Sequence, residues 1–116
     1  MKRGRPAFDL RVGLYLWVLI ETYREPAQAG RPRASIRQAS ERLGSELHTL
    51  CNIDISMERL RAVHRMVIDH LEADAELRRF AIWTLATTTV WRRIFLSNGD
   101  PDVKRQIIPL LLSNSA

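Results

Sequence analysis

Met57, Leu60, Val63, Val67 and Leu71 recur at spacings of three and four, the interval that stacks side chains on one face of an α-helix. No other stretch limits the fold so tightly. Ser56 stands before this stripe as an N-cap, with Glu58 and Arg59 following in the first turn. Upstream, Ser35 offers a second N-cap and Gln38 completes a capping box. Ile36, Ala39 and Leu43 continue that helix as an apolar stripe, and Gly44 reads as its stop. Residues 45–55 are ambiguous: Leu47, Leu50 and Cys51 fit a short helical turn, and Asn52 to Asp54 its exit.

The same punctuation runs through the rest of the chain. Asp9 can cap a helix to about Glu25, where Pro26 stops it. Leu10, Leu14 and Trp17 share one face of it, with Gly13, Leu16 and Ile20 beside them. Its middle is apolar nearly all round, which implies burial on several sides or an oligomer interface. Asp74 can cap another helix reaching about Phe95. Because no charge falls between Phe80 and Trp91, that helix is expected at the centre of the core, with Thr87 to Thr89 marking a bend. Asn98-Gly99 is a turn, Asp100-Pro101 opens a last helix, and Pro109 kinks or ends it. Strand-like alternation and internal repeats are absent. The expectation is an all-α fold: a compact bundle of four to six helices over residues 8–116, containing a helix-turn-helix-like unit and preceded by a flexible basic arm, 1–7.

At 46% hydrophobic and 27% charged, the composition excludes a disordered chain. The net charge of +5 and a pI near 10.3 favour an anionic partner. Lys2 and Lys104 are the only lysines; every other basic side chain is arginine, whose fork matches phosphate and guanine edges, although a GC-rich genome favours arginine codons as well. Cys51 is the only cysteine, which rules out an intramolecular disulfide and fits a reducing cytoplasm. The basic start, the apolar run 12–20 and Ala27-Gln28-Ala29 outline a signal peptide. Asp9, Arg11, Glu21, Arg24 and Glu25 around that run argue against export, and the run is too short to span a bilayer.

Catalytic and metal chemistry find little support. His48-x-x-Cys51 is a possible ligand pair, but His64 and His70, six apart, fall on different sides of one helix. Asp69, Glu72, Asp74 and Glu76 straddle a helix boundary, where carboxylates serve as caps and dipole partners. Neither a Walker loop nor a dinucleotide glycine motif is present. The chain is expected to be no enzyme and to need no cofactor or metal.

The segment Ser35-Ile-Arg-Gln-Ala-Ser-Glu-Arg-Leu-Gly44 resembles the first helix and turn of small bacterial and phage helix-turn-helix proteins. In that resemblance Ala39 and Ser40 are the small mid-helix residues, Leu43 the core residue and Gly44 the turn. The family pattern then fails, because a recognition helix should follow within a few residues. Either residues 45–51 form a poor one, or an insertion separates the pair and the Ser56 helix is the reader; the second is preferred. There Arg59, Ala62 and Arg65 leave the apolar stripe for one outer face, with Arg61 beside them, a surface suited to a major groove. Lys2-Arg3-Gly4-Arg5-Pro6 resembles an AT-hook core, and Gly30-Arg31-Pro32-Arg33 echoes it. Together the resemblances imply a DNA-binding regulator, with A/T-rich sites as the target that the AT-hook likeness suggests, and with Lys2, Arg3, Arg5, Arg31, Arg33, Arg37, Arg59, Arg61 and Arg65 as contacts. The apolar helices around Trp17 and Trp83, with the twofold arrangement that helix-turn-helix proteins commonly use, point to a homodimer, and the lone cysteine and the charges around the apolar run to the cytoplasm. The alternative is a helical protein-interaction module without nucleic-acid binding, suggested by the apolar helices around Trp17 and Trp83.

Overall fold

The computed structural model describes residues 10–26 and 30–113, and no strand occurs among them. In order come α1 (Leu10–Arg24), α2 (Ile36–Cys51), α3 (Met57–Ala73), α4 (Ala75–Thr87), α5 (Thr89–Arg92), a π-helical turn (Arg93–Ser97) and α6 (Pro101–Leu112). The expected all-α fold is found. The basic arm, 1–7, and the Asp9 cap lie outside the described residues.

Four helix starts are fixed by the residues that announce them. Ser35 Oγ accepts from Gln38 N–H and Gln38 Oε1 accepts from Ser35 N–H, each at 3.0 Å. Ser56 Oγ accepts from Arg59 N–H at 3.1 Å. Asp74 Oδ1 accepts from Glu76 and Leu77 N–H, and Asp100 Oδ1 from Asp102 N–H, with Pro101 opening α6. Each such cap contributes on the order of 1 kcal/mol by satisfying donors that the helix cannot.

Helices α1, α2 and α3 pack against one another. Leu16, Leu19 and Ile20 of α1 are buried with Leu43 and Leu47 of α2 and with Leu60, Val63 and Val67 of α3. Ile108 of α6 and Leu96 of the π turn complete this core. Most of the apolar circumference of α1 is thus explained within one copy: α2, α3, α6 and the π turn pack on it, leaving Tyr15 exposed and Leu14 and Val18 half-buried.

Three expectations are corrected. Gly44 does not end α2, which runs seven residues further to Cys51 and closes on Asn52 in the left-handed conformation, φ 56°. Leu47 continues the buried face begun by Ala39 and Leu43, so the helix gains by continuing. The glycine has another use: a Cβ there would stand 3.3 Å from the Ile55 carbonyl oxygen, so its absence lets the α2–α3 connection lie close. The helix from Asp74, second, is not central to the core. Leu77 and Leu85 are half-buried and Ala81 is buried, but Phe80, Ile82, Trp83, Val90 and Trp91 are exposed. A helix lying against the body by one face has apolar residues to spare when it is apolar all round. Third, of the two outcomes expected at Pro109 only the ending is overturned: the proline sits inside α6, which reaches Leu112.

The threonine bend is real. Thr88 adopts φ −107°, ψ 11° between α4 and α5. The hydroxyls of Thr84, Thr87, Thr88 and Thr89 donate to the carbonyls of Phe80, Trp83, Thr84 and Leu85, one turn back, the pairing that bends helices.

Candidate nucleic-acid interface

The last turn of α1 reverses its character from apolar to polar, and three charged clusters form there. Glu21 is buried and bonds to three side chains, two arginines and a histidine. Arg24 Nη1 donates to its carboxylate at 3.0 Å, Arg33 pairs with it from the loop before α2, and His64 Nε2 of α3 lies 2.7 Å away. Burial alone would raise the Glu21 pKa. The hydrogen bond from His64 and the charge and hydrogen bond of Arg24 outweigh burial and hold it at about 2. The carboxylate is therefore ionised and His64 Nε2 must carry the donated proton.

Above this pair opens a groove of about 820 Å³. Trp17, Glu21 and Arg24 of α1, Ser35 with Ile36 and Arg37 of α2, and Glu58, Arg61, Ala62, His64, Arg65 and Ile68 of α3 line it. Ser35, Ile36 and Arg37 bring the capped start of α2, the positive end of its dipole, to the groove's edge. Trp17 Nε1 is buried without a hydrogen-bond partner among the described residues. Arg37, Arg61 and Arg65 are exposed, so the rim is cationic while Glu21 is already neutralised by its partners.

Of the residues singled out from sequence, Arg37, Arg61 and Arg65 converge on this groove, and Arg33 reaches its edge through Glu21. Arg31 is exposed in the loop before α2, away from the lining. Arg59 is half-buried and does not line the groove, so Arg61 rather than Arg59 stands with Ala62 and Arg65. Lys2, Arg3 and Arg5 lie outside the described residues. Sequence reasoning missed Glu21, Arg24, His64 and Trp17 as parts of the site. The available signal was Glu21, the first acid after a long apolar run, and His64, which falls between the core residues Val63 and Val67.

The second cluster surrounds Glu46. It accepts from Tyr23 Oη at 2.5 Å and Lys104 Nζ at 2.8 Å, and Arg42 Nε donates to its other oxygen at 3.1 Å. Burial would raise the Glu46 pKa, but the hydrogen bonds of Lys104 and Tyr23 lower it. Burial and the Glu46 contact push the Tyr23 phenol well up. Arg42 also lies over the Tyr23 ring, 4.4 Å from its centroid. In the third cluster Arg92, 2% exposed, donates to Thr22 Oγ1 and Glu25 Oε2 at 2.9 Å, to Thr88 Oγ1 at 3.0 Å and to the Leu85 carbonyl at 2.6 Å. These two clusters are enclosed and structural; the groove is open.

Among the described residues, no group of three or more His, Cys, Asp or Glu could hold a metal. His48 pairs with Asp54, His64 with Glu21, and His70 with the Met66 carbonyl. Burial raises the Cys51 thiol pKa, which disfavours the nucleophilic thiolate. No helix among the described residues is long and apolar enough to cross a membrane. Compared with known proteins, the chain matches no family model, no curated protein and no solved structure.

Proposed function

We propose that this chain is a non-catalytic DNA-binding protein, a small cytoplasmic transcriptional regulator that acts as a homodimer. The observation that carries the reading is the convergence of Arg37, Arg61 and Arg65, from two helices, on one open groove whose only buried acid is already paired. Guanidinium groups around a concave surface suit phosphate oxygens, and the start of α2 adds the positive end of its dipole beside them. Arg61, Ala62 and Arg65 form the exposed face of α3, with a small residue between two forks, which suits close approach to a duplex. The helix-turn-helix resemblance supports this reading in a modified form, with α2 and α3 joined by the Asn52 turn and no turn at Gly44.

A gel-shift titration across a salt series tests it. Three or four phosphate contacts give a log K against log salt slope of about −3. No shift at low salt sinks the reading. The exposed apolar side of α4 favours the second reading, a protein-interaction module, and a folded chain that ignores DNA would leave that one standing.

A further inference from the structure

We propose that the exposed side of α4 and its continuation to Ile94 is a twofold self-association surface, covered by the same surface of a second copy of this chain. This rests on the homodimer part of the reading above and not on DNA binding.

Three observations select that occupant. Phe80, Trp83, Val90 and Ile94 are 61%, 62%, 67% and 56% exposed, and with exposed Thr87 they recur at spacings of three and four. On α4 that is the spacing of a helix-pairing seam, and Val90 and Ile94 continue it beyond the Thr88 bend in α5 and the π turn. On the opposite side Ala81, Arg92 and Leu96 are buried and Leu77, Leu85 and Thr88 half-buried; the element carries two seams, one of them used.

Area adds to this. At roughly 100 Å² each, Phe80, Trp83, Val90 and Ile94 expose roughly 400 Å², with exposed Trp91 beside them. That is the size at which an exposed apolar patch on a monomer is often functional, and about half of the ~800 Å² that each partner contributes to a standard stable interface.

Finally, the face complements itself. An antiparallel copy that sets Phe80 opposite Val90 also sets Trp83 opposite Thr87, large against small, by the numbering of the stripe. The same register sets Ile94 of each copy against the side chain of exposed Glu76 of the other, by the same numbering. Phe80 also lines a mostly apolar recess of about 290 Å³ between α1 and α4, with Leu14, Tyr15, Val18 and Thr84. A twofold contact repeats each of these pairs, as an isologous interface requires.

Sedimentation equilibrium of the full chain at micromolar concentrations tests the inference, run beside Phe80→Glu with Trp83→Glu, Val90→Arg alone, and Leu110→Glu as a control on α6. The expected masses are about twice 13.4 kDa for the unaltered chain and the control, and the single mass for both face variants with unchanged circular dichroism. A monomeric unaltered chain overturns this inference and the homodimer together, and leaves the face to another protein. A dimer that persists in folded face variants overturns this surface and keeps the homodimer. Gel shifts on the same samples report DNA binding separately from either result.

Discussion

His64 Nε2 lies 2.7 Å from Glu21 Oε2, joining helices 43 positions apart through a pair that solvent barely reaches. The pair makes stability depend on acid. The Glu21 pKa falls from 4.5 to about 2 on folding. A depressed carboxyl contributes stability that is complete above its unfolded pKa and is lost as pH falls through its folded one. Urea unfolding should therefore weaken between about pH 4.5 and pH 2, by at most about 3 kcal/mol from this group at 1.36 kcal/mol per pH unit, with Glu46 adding in the same direction. In Glu21→Gln that acid dependence should shrink; an unchanged profile would assign it elsewhere.

Arg92→Met should cost about 3–5 kcal/mol in urea unfolding, the loss expected when one partner of a buried charged network is removed. Glu25, Thr22 and the Leu85 carbonyl all lose a donor at once. Arg92→Lys should recover little, because one ammonium cannot span the acceptors that the planar fork reaches. A loss under 1 kcal/mol for the methionine variant would contradict the network's role.

Gly99→Ala should lower the melting temperature while Gly44→Ala leaves it nearly unchanged. A Cβ at Gly99 would stand 2.7 Å from the Phe95 carbonyl carbon and oxygen, which are main-chain atoms that no rotamer change can move aside, at a cost of roughly 1–3 kcal/mol. At Gly44 the closest approach is 3.3 Å, and alanine's better helix propensity offsets the squeeze by up to about 1 kcal/mol. Thermal melts followed by circular dichroism compare the two directly.

Arg61→Ala with Arg65→Ala should reduce DNA affinity and lower the salt slope by about two, with stability within roughly 0.5 kcal/mol because both side chains are exposed. Arg59→Ala should change the slope much less, since Arg59 does not line the groove. Equal effects from all three would make the charge of α3 nonspecific and remove the groove from the argument.

The helix starts were legible because a cap is a local device: Ser35 with Gln38, Ser56, Asp74 and Asp100-Pro101 need nothing beyond the next few residues. The bend at Thr88 was legible for the same reason. Gly44 was misleading because a glycine that ends a helix and one that admits a neighbouring chain look alike until the neighbour, here Ile55, is placed. The position of Trp83 could not be read, since an uncharged helical run describes a buried core and an uncovered face equally well. In the site, Arg37, Arg61 and Arg65 announced themselves by charge. The Glu21–His64 floor did not, because nothing near Glu21 in the sequence indicates its partner on α3.

The polar last turn of α1 imposes an order on how the fold can be reached. Tyr23 waits for Glu46, 23 positions on, Glu21 for His64, 43 on, and Thr22 for Arg92, 70 on. Contacts of such separation close late, after the entropy of long loops has been met. On a ribosome α1 emerges with its hydrophobic residues exposed and its polar end unsatisfied, and α2 and α3 alone leave Thr22 and Glu25 without their guanidinium. A nascent chain stalled before Arg92 should therefore be open to proteolysis, with resistance rising once that arginine is made and complete only after Lys104 and Ile108 of α6 follow.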